Sequence, residues 1–538
     1  MRDVVTTDDR RSAYARAGFW DETTLAGRVR AHADADADRV AVVDDAGARS
    51  HTYGQLADHA ERLAGHLLGA GVATGDVVSI QLPNVYEAAV AAVACQRIGA
   101  VINPLLPNYR HKELSHIWTT ATPAAVLTPS THRGFDYCAM VAGLRASTGL
   151  DPHHVVVGGP GGDVSFEDAV DADGGRLPAL APDAAAISEL IFTSGTEATP
   201  KAIMHSEQTT NFSVRVAYAD LGLTPDDVVW MPSPVGHSTG FNYGLRFALY
   251  HGLTLVLQDA WDASVAVGLI EDHDCSYTLA ATTFLKELTE LAHDTGSTLP
   301  TMRTFGCGGA PVPAELVESA ARVGINVLRL YGSTEVLVGT WNRNDSPPDA
   351  RVGTDGIAMS HVEVMTVGED GEPCGPGQPG EIYTRGPNTC LGFFDDPERT
   401  QATFTADGWV RSGDLAVIDD RGYLTVVGRK KEIIIRGGIN IAPMEIEELL
   451  LQFPEVDRVA VVGIPDERLG ERMCACVVTR PGTSLDFETM VARLRATGLA
   501  TYKLPERLEL LPALPMTASG KVQKHEILRQ LEGANGAG

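Results

Sequence analysis

Hydrophobic and polar positions along this chain sort themselves into short strands and amphipathic helices. Val40-Ala41-Val42-Val43 is a β-type run, and residues 54–68 place Leu56, Leu63 and Leu67 on one helical face. Residues 77–82 and 124–127 read as further strands, and 85–98 and 111–119 as helices. The alternation resumes beyond Lys201. Helices are expected at 206–219, 239–250, 264–272, 283–293 and 313–323, with strands at 227–231, 254–257, 275–280, 302–307 and 326–331 between them. Strands separated by helices predict parallel sheets covered on both faces. From residue 351 the texture changes to short β-type runs (362–367, 380–385, 410–418, 424–427) split by Gly, Pro and Asp, which predicts a small β-barrel or curled sheet. After Gly428 a smaller alternation follows, with helices at 443–451, 487–497 and 524–531 and strands at 458–463, 474–479 and 508–511. The expected fold is α/β. A large N-terminal domain, residues 1–428, holds two αβ-layered sheet subdomains plus the small β-barrel, and a small α+β C-terminal domain spans 429–538. Residues 33–38 alternate Ala and Asp and read as a solvated linker.

Composition changes this picture in two places. The net charge of -27 argues against nucleic acid as a partner, because neutralising phosphates takes basic surface. It also means that any anionic ligand needs locally placed cations. The eight cysteines are scattered without a CxxC pair, which points to free thiols in a reducing cytoplasm. The longest apolar stretch, residues 88–95, is too short to span a membrane, and residues 1–11 are charged rather than signal-like.

Candidate chemistry gathers first at Thr193-Ser194-Gly195-Thr196-Glu197-Ala198-Thr199-Pro200-Lys201, after an apolar run. Hydroxyls and backbone N–H groups there can donate to phosphate oxygens, and Lys201 adds a compact positive charge. A Walker A loop needs Lys-Ser/Thr directly after its second glycine, so this is not one. Gly306-Cys307-Gly308-Gly309-Ala310-Pro311 ends a strand and lets backbone approach a flat ligand, though it lacks the last glycine of a dinucleotide fingerprint. Tyr331-Gly332-Ser333-Thr334-Glu335 sits at the next strand end, where ligands gather in open α/β sheets. Its Tyr can stack on a base and its Glu can hold Mg²⁺ beside phosphates. Asp414 can accept both hydroxyls of a ribose. His237 lies in a Pro/Gly/Ser loop, residues 428–447 join the large and small domains, and Lys521 stands in a small-residue loop. Each stretch alone has an ordinary structural explanation: a polar loop, a turn, a packed ring.

Their joint occurrence in this order resembles the adenylate-forming superfamily of acyl-CoA synthetases, peptide-synthetase adenylation domains and firefly luciferase, over about residues 53–531. Ile102-Asn103-Pro104-Leu105-Leu106-Pro107 and Arg133-Gly134-Phe135-Asp136-Tyr137 are most similar to cyclohexanecarboxylate-type and short- or medium-chain acyl-CoA ligases. The resemblance implies that a carboxylic acid is joined to ATP with release of pyrophosphate and then passed to CoA. The alternative acceptors are a carrier-protein phosphopantetheine or an unusual nucleophile. It implies ATP, Mg²⁺ and CoA as partners, with Thr193, Ser194, Gly195, Thr196 and Lys201 gripping the β- and γ-phosphates. Gly309, Ala310 and Pro311 would line the adenine, and Tyr331 and Gly332 would complete that wall. Thr334 would touch the α-phosphate, Glu335 would hold Mg²⁺, and Asp414 with Arg429 would bind the ribose. His237 would flank the acid's carboxylate, and Lys521 would bridge it to the α-phosphate. A mobile C-terminal domain would turn at Lys431 and bring Gly437 and Gly438 to a pantetheine tunnel. Phe241, Asn242, Gly308, Val336 and Leu337 would form the acyl pocket, joined by Tyr243 and Trp341, with Ser238 and Asn242 free to bond a ring substituent. The family's loop usually runs Thr-Gly-x-Pro-Lys-Gly, whereas alanine stands here at both glycines, Ala198 and Ala202.

Overall fold

A helix that is apolar on nearly every side has no face to give to water and has to be enclosed. Helix Tyr86–Ile98 is such a case, with every residue but Arg97 buried. It touches strands of two different sheets and lies between them. The structure, a computed structural model, describes residues 6–171, 177, 180–193, 200–466, 468–517 and 521–535.

The first sheet has nine strands in the order Ile357–Ala358, Leu337–Trp341, Val327–Ser333, Thr304–Gly308, Tyr277–Ala280, Val228–Met231, Thr254–Leu257, Val40–Asp44, Arg49–Thr52. Its interior pairs are parallel, and antiparallel strands close both edges. The second has eight strands in the order Gly392–Phe393, Lys201–Ser206, Ile187–Thr193, Val101–Pro104, Val77–Ile80, Ala125–Pro129, His153–Val157, Val164–Ser165. It too is parallel apart from the two joins at Lys201–Ser206. Parallel strands buried on both faces are rich in Val, Ile and Leu, which is why the apolar runs were readable.

Several elements differ from expectation. The region after residue 351 is a four-stranded antiparallel sheet, Glu363–Val367, Pro379–Arg385, Val410–Ile418, Leu424–Arg429, so of the two expected forms it is the open sheet and not the closed barrel. Four strands are too few to close around a filled interior. Residues 33–35 are not linker but the last turn of helix Leu25–Ala35, with Ala33 buried. Lys201 opens a strand, Lys201–Ser206, that hairpins back on Ile187–Thr193. Helix Tyr137–Thr148 and strand His153–Val157 also went unread. The helix expected at 239–250 is broken into a turn, Ser238–Gly240, a π-helical segment, Phe241–Arg246, and a helix, Phe247–His251. π-Segments of this kind occur often at functional sites.

That segment covers a fully buried ion network. Arg246 donates to Glu189, to Glu207 Oε2 at 2.9 Å and to Asn211 Oδ1 at 2.8 Å. Burial pushes the Glu207 carboxyl up, against the pull of Arg246. The network ties strand Ile187–Thr193 of the second sheet and the π-helical segment to helix Glu207–Asp220 through one guanidinium.

The C-terminal unit is a separate sheet. Ile439–Ile441, Ile434–Arg436, Gly470–Thr479 and Val456–Asp466 pair in that order, and Arg507–Leu510 runs parallel to Gly470–Thr479. Cys474 and Cys476, two apart on one strand, share a face with their Sγ atoms 3.9 Å apart. All eight cysteines are free. This unit touches the large one through Lys286–Asp457 at 3.0 Å and through helix Pro443–Leu451 against strand Leu424–Arg429.

Removing the one cation from a buried network leaves carboxylates without compensation. Arg246→Leu is expected to cost about 3–5 kcal/mol, read as a lowered midpoint in urea unfolding. An unfolding curve within about 1 kcal/mol of the parent would show that the network carries no such role.

Candidate active site

Thr193, Gly308 and residues 331–335 fall at the carboxyl ends of strands, the usual ligand position in open α/β sheets. Thr193 and Lys201 form the last cross-strand pair of their hairpin, so the phosphate-type loop joins two antiparallel strands rather than a strand and a helix. Ser194, Gly195 and Thr196 lie outside the described residues. The Thr193 hydroxyl is buried and has no partner among the described residues, as a group awaiting an acceptor would be.

Lys201 crosses to the neighbouring strand end, and its Nζ lies 2.5 Å from Glu335 Oε1. Burial works to raise the Glu335 carboxyl, but the Lys201 ammonium outweighs it and holds the group below its ordinary range. The strand end carrying Glu335 is pinned from several sides. Cys390 N–H donates to the Glu335 carbonyl at 2.8 Å, and the Asn388 amide donates to Val336 O at 2.6 Å and Val338 O at 2.9 Å. Tyr243 Oη accepts from Val338 N at 2.9 Å. The hairpin is tight: a Cβ on Gly332 would lie 2.1 Å from Leu337 O, and Leu337 itself has φ +55°. Only glycine fits opposite that bend.

His205 fixes the preceding residue. Its Nε2 lies 2.7 Å from the Thr334 carbonyl, which can only accept, so Nε2 carries the proton and Nδ1 faces Thr209 Oγ1 at 3.0 Å. Burial lowers this ring's pKa to about 4, so it is neutral at pH 7.

A second cluster forms on the four-stranded sheet. Asp414 and Arg429 are direct cross-strand partners, with Arg429 Nε 2.9 Å from Asp414 Oδ1. Tyr331 donates its hydroxyl to Asp414 Oδ2 at 2.9 Å. Burial raises the Asp414 carboxyl even though Arg429 and Tyr331 both oppose the shift. Gly309 has φ +80°, a left-handed conformation suited to glycine, and opens the Gly309-Ala310-Pro311 turn. A Cβ on Gly308 would lie 2.4 Å from Leu330 O, so two strands approach closely there.

Lys521 reaches this cluster from the C-terminal unit. It stands on a small hairpin closed by the Met516–Val522 bridge, and its N–H donates to Thr517 Oγ1 at 3.0 Å. The residue is exposed to solvent. Desolvation lowers its pKa, Arg429 and Lys201 add to the shift, and Asp414 and Glu335 oppose it. His237 is on the same side: burial, then the charge of Lys521, lowers it to about 4. Its Nδ1 accepts from Thr239 N at 3.3 Å, capping the next turn.

Gly437 and Gly438, with φ +59° and +83°, make the two-residue turn between Ile434–Arg436 and Ile439–Ile441. Lys431 sits in the short 3-10 turn Lys430–Glu432 that connects the two units. Phe241, Val336 and Leu337 are buried. Asn242 is different: its Nδ2 donates to Glu189 at 3.1 Å and its Oδ1 accepts from Arg246 at 3.2 Å, so the amide faces the buried ion network and not an acyl group. His205, Asn388 and the Glu189–Arg246–Glu207 network carry no sequence signal. Each is a single polar residue in an apolar run, recognisable only once its partners are in place.

Among the described residues no cluster of three or more His, Cys, Asp or Glu is arranged to hold a metal ion. Mg²⁺ bound through one carboxylate and substrate phosphates needs no such cage, and the buried Glu335 fits that mode. No helix among the described residues is long and apolar enough to cross a membrane.

Sheets that deliver a phosphate-type hairpin, a carboxylate–arginine pair and a lysine from a second unit to one cleft define an adenylate-forming ligase. The chain belongs to the AMP-binding enzyme family, whose sequence profile matches residues 29–394, with the AMP-binding enzyme C-terminal domain matching 445–521. It is 36% identical to a medium-chain fatty-acid–CoA ligase of Escherichia coli, over 97% of this chain and 94% of the relative. It is 33% identical to a salicyl-AMP ligase / salicyl-S-ArCP synthetase of Mycobacterium tuberculosis, over 98% and 94% of the two chains. ATP-bound MatB from Rhodopseudomonas palustris superposes with a TM-score of 0.84 at 28% identity, covering 94% of this chain and 99% of that one. The protein is an AMP-forming ligase.

The low histidine pKa values set a pH response. His154, His205, His237 and His251 are each lowered to about 4 by burial, whereas an unfolded histidine titrates near 6.5. Between these limits the unfolded chain binds more protons, so stability rises with pH and is lost as pH falls from about 6.5 towards 4. His205→Gln is expected to reduce the proton uptake on unfolding in that window by about one, measured from Tm against pH. An unchanged slope would contradict a neutral buried His205.

Proposed function

We propose that this ligase joins a carboxylic acid to ATP and then transfers the acyl group to CoA. What supports the reading is that Lys521, from the C-terminal unit, lies within electrostatic reach of His237, Asp414, Arg429 and Glu335. An acid and ATP are both anions, and their approach has to be screened. In the first step a carboxylate oxygen attacks the α-phosphorus, the bond to the bridging oxygen breaks, and pyrophosphate leaves with the electron pair. No proton moves, so no general base is required. Lys521 spans the carboxylate and the α-phosphate, where charge grows. His237, neutral, flanks the carboxylate without adding a second cation. Thr334 meets the α-phosphate, positioned through its backbone by His205. Lys201 and the 193–201 loop hold the leaving pyrophosphate. Asp414, held by Tyr331 and Arg429, accepts the ribose hydroxyls, and Gly309, Ala310, Pro311 and Gly332 border the adenine with Tyr331. Glu335 would hold Mg²⁺, which when bound screens the phosphates and favours the departing pyrophosphate.

We assign residues 1–428 to the adenylating domain and 429–538 to a domain that turns about Lys431. In the second step Lys521 leaves the cleft, and the Gly437-Gly438 turn replaces it beside the adenylate, where the thiol enters. CoA as acceptor is supported by the similarity to a medium-chain fatty-acid–CoA ligase. A carrier-protein acceptor is the second reading. Ile435 and Ile439 are 54% and 44% exposed beside that turn, an apolar surface a protein partner can cover, and the mycobacterial relative is named for a carrier-protein product.

Lys521→Ala is expected to lower acid-dependent pyrophosphate release by about 10²–10³ fold, while thioester formation from supplied acyl-adenylate stays within about tenfold of the parent. Mass spectrometry of the thiol product distinguishes CoA from a carrier protein. Equal loss in both half-reactions would remove Lys521 from the role given.

A further inference from the structure

With Asn242 turned into the buried ion network, polar recognition of the acid has to come from other side chains. Two hydrogen-bonding atoms in the same core, Tyr277 Oη and Trp341 Nε1, are buried and have no partner among the described residues. Tyr277 is 0% exposed and Trp341 2%. Buried donors are nearly always paired, and an unpaired one is costly in the free protein.

Strand register and the lie of the indole set both on one face of the first sheet. Tyr277 pairs with Thr304 and Leu279 with Gly306 in adjacent parallel strands. Tyr277 and Leu279, two apart, share one sheet face. The Trp341 indole reaches the same face: a Cβ on Gly306 would lie 2.6 Å from Trp341 Cζ2 and 3.3 Å from Leu279 Cγ. The indole edge that carries Cζ2 also carries Nε1, so that edge lies over the floor that Gly306 leaves bare. The π-helical segment and the helix after it pack above this floor. Tyr243 meets Trp341 edge-on at 6.0 Å between centroids, and Phe247 stacks on Tyr277 at 4.6 Å. Tyr243 is already satisfied by Ser213 and Val338. The strand runs from Gly306 up to Gly308 and the site, so the orphan atoms lie deeper than the reacting carboxylate.

We infer that the acid activated here carries a hydrogen-bond acceptor at the end distal to its carboxylate, and that Tyr277 and Trp341 read it from the floor of the acyl pocket. An indole N–H only donates, so the complement is a carbonyl, hydroxyl or ether oxygen and not an ammonium. The preferred class is therefore an oxygenated acid rather than its plain hydrocarbon counterpart. Tyr277 and Trp341 act here as specificity-determining residues. This rests on the adenylation proposed above and narrows its substrate. Burial pushes the Tyr277 phenol well above its ordinary value, so its proton stays available for donation.

The test compares matched acids that differ by one acceptor: para-methoxybenzoate with para-ethylbenzoate, an oxocyclohexanecarboxylate with its methyl analogue, and a medium-chain oxo acid with its methyl-branched hydrocarbon. The reading is kcat/KM for acid-dependent pyrophosphate release. In the best-used pair the oxygenated member is expected to win by about tenfold or more, because a site built to bond an oxygen rejects its absence. Tyr277→Phe and Trp341→Phe should each shrink that ratio several-fold, and the double variant should bring it to about one. Tyr277→Phe also removes an unpaired buried hydroxyl, so its Tm in the absence of ligand should stay level or rise. A fall in Tm would show that the hydroxyl has a partner within the protein and would overturn the assignment. Hydrocarbon acids used as well as oxygenated ones, or a preference that survives both variants, would sink this inference and leave adenylation standing. Absence of pyrophosphate release with every acid would sink both.

Discussion

Two anions have to meet in this protein, and the chain itself carries a net charge of -27. That electrostatic constraint organises the cleft. Cations are supplied one at a time, each from a different part of the fold and each with a carboxylate close by. Lys201 comes from an antiparallel hairpin at the edge of a parallel sheet and pairs with Glu335. Arg429 comes from the four-stranded sheet and pairs with Asp414. Lys521 comes from the C-terminal unit and feels both carboxylates. A cation held by a nearby carboxylate is affordable in a partly buried site, whereas three lysines and arginines crowded together without partners would repel one another.

The rest of the N-terminal unit exists to hold these strand ends still. Glu335 lies on a hairpin bend that only Gly332 permits, fastened by the Asn388 amide, the Tyr243 hydroxyl and Cys390 N–H. His205 supports the residue before it through a single N–H. Neutral histidine suits that task, because a protonated ring would place another buried positive charge near Arg246. Fixed dipoles and hydrogen bonds of this kind need no rearrangement when charge develops at phosphorus.

Much of the architecture was legible from the chain because parallel strands buried on both faces are written as continuous Val, Ile and Leu runs. The candidate motifs were legible because most of them fall at strand ends, where turn residues break those runs. Other features left no mark. Lys201–Ser206 follows directly on the phosphate-type loop, and its apolar alternation is too short to separate from the helix after it. The four-stranded sheet and a barrel have the same short-strand texture, and only the pairing of edges tells them apart. Asn242 was expected to line the acyl pocket. Its actual direction depends on Arg246 four residues on, and on Glu189 more than fifty residues earlier, which meet only after the sheets have formed. A π-helical segment rotates successive side chains differently from an α-helix, so helical spacing alone assigns the wrong face there.

The Lys201–Glu335 pair has a further consequence for how ligand arrives. Glu335 is buried, and Lys201 is what keeps it charged. If Lys201 swings to the phosphates, Glu335 loses that compensation and cannot stay ionised alone at low cost. The replacement has to be another cation entering with the nucleotide. A single buried carboxylate beside phosphates is the kind of ligand set that Mg²⁺ accepts, since it keeps several of its waters. On this argument Lys201 and the metal are alternatives at Glu335. The lysine would then be free to turn to the phosphates once a cation took its place at Glu335. Such an exchange would make the phosphate grip conditional on a properly charged nucleotide, through one flexible side chain and without movement of the sheet.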